Sequence, residues 1–95
     1  MSRDELVEIE LGDIESVRQL HERMMTQLKF PHWYGKNWNA FWDAITGLVE
    51  MPLVLRLKNW IEFERRFPHD AMLMNDCLQD MERKYPRDAS SVERI

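Results

Sequence analysis

Hydrophobic spacing changes period in a definite order along this chain, and that order leaves few folds open. Leu6-Val7-Glu8-Ile9-Glu10-Leu11 alternates apolar with acidic residues, the two-residue period of a strand with one buried face. After Gly12, Asp13 or Ser16 can cap a helix, and Ser16 with Gln19 has the form of a capping box. Val17, Leu20, Met24 and Leu28 then recur at helical spacing, which predicts a first helix running to about Lys29. Phe30 to Lys36 holds Pro31 and Gly35 and reads as a loop. From an Asn37 cap, Trp38, Phe41, Trp42, Ile45, Leu48 and Val49 form the buried stripe of a second helix, with Gly47 offering a stop near Thr46.

Behind Pro52, the run Leu53-Val54-Leu55-Arg56-Leu57 is nearly continuous in apolar residues, as expected of a strand buried on both faces and central in a parallel sheet. Asn59 can cap a short third helix that turns Trp60, Phe63 and Phe67 inward and ends at Pro68. A fourth helix is expected from about Asp70 to Tyr85, with Met74, Cys77, Leu78, Met81 and Tyr85 inside and Pro86 as its stop. Ser91 to Ile95 is a candidate edge strand interrupted by Glu93 and Arg94. Strands alternating with helices in 95 residues predict an α/β fold: a small three-stranded parallel sheet packed with about four helices, as one domain over 1–95.

Bulk properties narrow the function. A chain of 95 residues builds one core but has little room for an enclosed substrate cavity as well, so a binding module suits it better than an enzyme. No apolar run approaches the roughly 18 to 20 residues of a membrane span, and Met1 to Glu5 lacks the apolar core of a secretory signal, so a cytoplasmic location is expected. Cys77 is the sole cysteine and reads as a small buried hydrophobe. Seven methionines fall mostly at helical core spacings and read as packing. A net charge of −4 argues against a phosphate backbone as partner and favours a basic protein, whose encounter would weaken with salt.

No metal or cofactor site is expected, because His21, His32, His69 and Cys77 form no ligand pattern. Nor does a nucleophile motif or Gly-rich phosphate loop occur, and Glu62 and Glu64 read as solvated helix charges. His21, beside Leu20 on the first helix, reads as a satisfied structural histidine. The informative stretch is Trp33 to Asp43, which holds three of the four tryptophans. Such a cluster can be core, a base-stacking platform or a protein interface. Stacking platforms lie in basic grooves, whereas here Lys36 is the one base. Asn39 and Asp43, four apart, share a helix face turned away from Trp38, Phe41 and Ile45.

From Leu28 through Leu55 the chain resembles the barstar family of ribonuclease inhibitors. The resemblance is carried by the Pro31 turn, Tyr34-Gly35, Asn37, a Leu-like Trp38, Phe41-Trp42-Asp43, Thr46-Gly47, Val49-Glu50 and Pro52-Leu53-Val54-Leu55, with Leu20-His21 upstream. It implies a three-stranded parallel sheet with helices, and a non-catalytic intracellular inhibitor that inserts its second helix and preceding loop into a basic nuclease cleft. The implied inhibitory carboxylate is Asp43, standing in for a phosphate; Trp33 would pack on the rim and Gly35 would permit close approach. The implied partner-binding set is Trp33, Tyr34, Gly35, Asn39, Trp42, Asp43, Leu48 and Glu50.

The chain departs from the family at Asn39 and Lys36, where acids are usual, and an acid of the family's last helix has only loose counterparts in Asp80 or Glu82. The partner toxin would then be a barnase-type ribonuclease or one with a less basic cleft. Two alternatives stay open: the same fold binding a non-nuclease partner, or a small nucleic-acid binder stacking bases on Trp33, Tyr34 and Trp38.

Overall fold

A computed structural model describes residues 3–95, and among these the expected alternation forms three strands and four α-helices. β1 (Leu6–Glu10), β2 (Val54–Lys58) and β3 (Ser91–Arg94) are parallel in the order β1-β2-β3. The C-terminal segment therefore completes the sheet in spite of its two charges. Glu93 accepts a hydrogen bond from Arg56 at 2.7 Å, and the Arg94 guanidinium lies 5.3 Å from the centre of the Trp60 ring. Both charges are matched without leaving water.

The helices are α1 (Val17–Leu28), α2 (Trp38–Asp43), α3 (Trp60–Arg66) and α4 (Pro68–Lys84). Strand order advances in one direction, and right-handed crossovers then place every helix on the same side of the sheet. Burial accordingly alternates along β2: Leu55 and Leu57 are buried, while Val54, Arg56 and Lys58 are intermediate. This corrects the expectation of a strand buried on both faces. The opposite face carries Leu6, 42% exposed, and a row in which Arg56 bridges Glu8 at 2.9 Å and Glu93 at 2.7 Å across register-matched strands.

Between sheet and helices lies one apolar cluster containing Ile9, Leu11, Ile14, Leu20, Met24, Phe41, Ile45, Leu55, Leu57 and Phe63. Met24, Met51, Met74 and Met81 are packed there as expected, but Met72 is 51% exposed. The cap of α1 is Ser16, whose Oγ accepts from the Gln19 N–H, while Gln19 reaches back to the Glu15 N–H rather than to Ser16 itself. Lys29, in the left-handed region at φ 64°, closes that helix.

Two helix boundaries differ from expectation. Asn59 makes no side-chain cap for α3: it adopts φ 59°, and its amide donates to Glu10 Oε2 at 2.6 Å, tying the end of β2 to the end of β1. Pro68 separates α3 from α4 as expected but also begins α4, since a first-turn position has no helical partner for the missing N–H. That helix stops at Lys84. Tyr85, expected on its inner face, is the C-cap and is 46% exposed, while Cys77 is half-buried.

Candidate functional site

The loop ahead of α2 is fixed by the two aromatic residues it buries. Phe30 and Tyr34 are in the core, their ring centres 4.9 Å apart, and the Tyr34 N–H donates to the Pro31 carbonyl at 3.0 Å. Tyr34 Oη lies 2.7 Å from His21 Nδ1, and burial pushes its phenol pKa above the ordinary tyrosine range. Tyr34 is thus a buried anchor of the loop, 4% exposed. With Tyr34 pinned inward, its neighbour Trp33 is left 64% exposed.

Gly35 has a packing reason that close approach of a partner does not require. A Cβ there would meet Ala40 Cβ at 3.2 Å and Asn37 Nδ2 at 3.3 Å, so a side chain would crowd the loop against α2. The left-handed turn falls one residue later, on Lys36 at φ 52°.

Asn37 caps α2 as its position suggests: Oδ1 accepts from the Ala40 N–H at 2.7 Å and Nδ2 donates to the Gly35 carbonyl at 3.2 Å. The inner face is held by Phe41, Ala44 and Ile45, all buried, and by Trp38, whose Nε1–H donates to Asp70 Oδ1 at 2.9 Å. Asn39 and Asp43 then lie exposed on the outer face. A 3.6-residue period with one face anchored leaves them nowhere else.

Beyond Asp43 the α-helical spacing ends. Ala44–Leu48 form a π-helical turn, closed by the Val49 N–H donating to the Ala44 carbonyl at 3.2 Å. Gly47 therefore does not stop the helix with a left-handed residue; it sits within this wider turn, and its φ is not positive. One extra residue in the ring rotates the positions after it, so Leu48, expected on the buried stripe, is 44% exposed. Glu50 is exposed just beyond it. Both flank a groove of about 810 Å³ whose wall also includes Lys29, Met51 and Asp88.

The end of α4 supplies neighbours that sequence periodicity did not assign to the site. Tyr85 lies 6.4 Å from the Trp42 ring, and Lys84 Nζ lies 5.5 Å from its centre, a cation–π distance. Trp42 is thus half-buried beneath a cation. Two turns back along α4, the Cys77 thiol donates to the Trp38 carbonyl at 3.8 Å; burial, with Asp80 and Asp76 adding to it, pushes its pKa up to about 11. A thiol kept protonated in this way is a weak nucleophile.

Trp33, Asn39, Asp43, Leu48 and Glu50 are thus exposed on one continuous stretch of loop, helix and π turn. Among the described residues the Asp43 carboxylate has no hydrogen bond and no ion pair. Asp80, by contrast, is engaged by Arg83 at 2.6 Å. An unpaired carboxylate on a rigid backbone, beside an exposed indole, can accept charge-assisted bonds from a cationic cleft.

These features define a small one-sided parallel α/β protein with a projecting carboxylate on its second helix. The family model described as Barstar (barnase inhibitor) matches residues 5–94, and the chain belongs to that family. A Bacillus subtilis (strain 168) protein named "Putative ribonuclease inhibitor YrdF" is 46% identical over 55 residues. That stretch covers 58% of this chain and 59% of the relative, so the chain spans less than two-thirds of that protein's length.

Proposed function

We propose that this chain is a non-catalytic inhibitor of a ribonuclease and acts as an antitoxin or immunity protein in the cytoplasm, as a single domain. The observation that carries this reading is Asp43, exposed, unpaired among the described residues and fixed by a helix whose opposite face is core. In a nuclease cleft its carboxylate would take the position of a substrate phosphate, where arginine and histidine donors already converge. Trp33 would cover the rim and exclude water around that contact, with Leu48 and the π turn extending the contact on the other side. Family membership and the inhibitor-named relative support the same reading.

Competition is the direct test. A phosphate-bearing mononucleotide that fills the cleft of a barnase-type ribonuclease must weaken its association with this chain in proportion to occupancy. Association indifferent to saturating nucleotide would mean that the contact lies elsewhere. Lys36 and Asn39 give the second reading some weight, since they reduce acidity around Asp43: the same surface would then hold a non-nuclease protein, and no ribonuclease would be inhibited at stoichiometric concentration.

A further inference from the structure

Two lysines lie close to helix α2, where a surface built only for a basic cleft would carry further acids. Lys84 Nζ sits 5.5 Å over the ring of Trp42, the residue immediately before Asp43. Lys36 stands just ahead of the Asn37 cap of the same helix, and roughly 9 Å of helix axis separates that cap from Asp43 at about 1.5 Å per residue. Neither lysine forms an ion pair among the described residues, and Asn39, which shares the face of Asp43, is neutral.

A cation in the last turn of α4 is favourable to the helix dipole, which accounts for a base at this position but not for where its charge is held. Arg83 occupies the same turn and folds back on Asp80. Lys84 instead lies over the indole of Trp42, the residue before Asp43, and forms no ion pair among the described residues.

We propose that Lys84, with Lys36, determines partner choice: the surface fits a ribonuclease that places an acidic side chain near the cation receiving Asp43, and it discriminates against a uniformly basic cleft. This rests on the inhibitor reading and adds the charge pattern of its partner. Like charges brought together in a desolvated rim oppose docking, whereas opposite charges there both steer and hold it.

The test uses a barnase-type ribonuclease with a basic cleft as the probe, and compares wild type, Lys84→Gln, Lys84→Glu and Lys36→Glu at low and high salt. Lys84→Gln loses the charge and the cation–π contact together, and Lys84→Glu adds only the reversed charge, so the pair separates electrostatics from packing. The proposal expects affinity to rise from wild type to Gln to Glu, by roughly tenfold overall at low salt, and the gain to shrink at high salt. Unchanged or weaker binding of both reversed variants, with folding confirmed by circular dichroism, would overturn it. Adding Asp43→Ala to the tightened variant keeps the two claims apart. Loss of the gain supports both; a gain that persists supports the lysine discrimination while contradicting the Asp43 plug.

Discussion

His21 and Tyr34, thirteen residues apart, meet in the core with Nδ1 and Oη separated by 2.7 Å, and the other ring nitrogen of His21 has no partner among the described residues. The tautomer with its proton on Nδ1 donates to Oη, whose own proton then faces the Asn37 carbonyl 3.5 Å away. Helix α1, the aromatic loop and the cap of α2 are thereby joined through side chains. Replacing His21 by Leu leaves the phenol without its main partner and should lower stability by about 1–3 kcal/mol, measured by urea denaturation.

The same histidine makes stability depend on pH. Burial, opposed by the charge of Asp70 and assisted by that of Lys36, holds its pKa below the ordinary 6.5. Below 6.5 the unfolded chain binds a proton that the folded chain resists, so stability is fully present above that value and falls as pH drops toward the folded pKa. Urea midpoints should decline below about pH 6.5 in wild type and much less in His21→Leu. Equal declines would contradict the assignment.

Trp33 and Trp38 stand five residues apart but have different roles. Trp33→Ala should change stability by less than about 0.5 kcal/mol because the indole is 64% exposed, yet weaken partner binding by about 2 kcal/mol. Trp38 packs 4.6 Å from His21 and 5.3 Å from Phe41, ring centre to ring centre. Trp38→Ala should therefore cost about 3 kcal/mol of stability. Thermal melts paired with binding titrations separate the two effects.

Arg3 ties the segment before β1 to two connections. Its guanidinium donates to the carbonyls of Met51 at 2.6 Å and Pro52 at 3.1 Å ahead of β2, and to those of Arg87, Asp88 and Ala89 ahead of β3. Because several charged hydrogen bonds share one side chain, Arg3→Ala should destabilise by about 2 kcal/mol, and hydrogen exchange should quicken at Ser91 and Leu53 first.

On the open sheet face, the hydrogen bond from Arg56 holds Glu8 below the ordinary carboxylate value of 4.5. A lowered acid contributes stability above its unfolded pKa, and that contribution is lost as pH falls through the folded one. Arg56→Met should flatten the loss of stability below about pH 4.5. Acid titrations monitored by circular dichroism would show an unchanged slope if the bridge were idle.

The fold was legible wherever one period governed a whole element. Val7, Ile9 and Leu11 marked β1, and Trp38, Phe41 and Ile45 marked the inner side of α2 and hence the outward direction of Asn39 and Asp43. Two adjacent aromatics, Trp33 and Tyr34, could not be sorted by period, because the choice was made by His21 on another element. Leu48 was misplaced because a π turn has no compositional mark, and Gly47 beside it resembled an ordinary stop. β2 looked doubly buried because its sequence carries no record of the crossover sense that left one sheet face open. Lys84 and Tyr85 entered the site only because α4 ends where it does, against Trp42.

On the proposed reading, Asp43 inhibits by occupying a phosphate position. Hydrolysis of RNA by a barnase-type ribonuclease, titrated at low salt with wild type and with Asp43→Ala, tests it most directly. Inhibition should saturate at one equivalent of wild type and weaken at least roughly a hundredfold in the variant, whose thermal melt should match wild type. An Asp43→Ala protein that inhibits as strongly as wild type would contradict it.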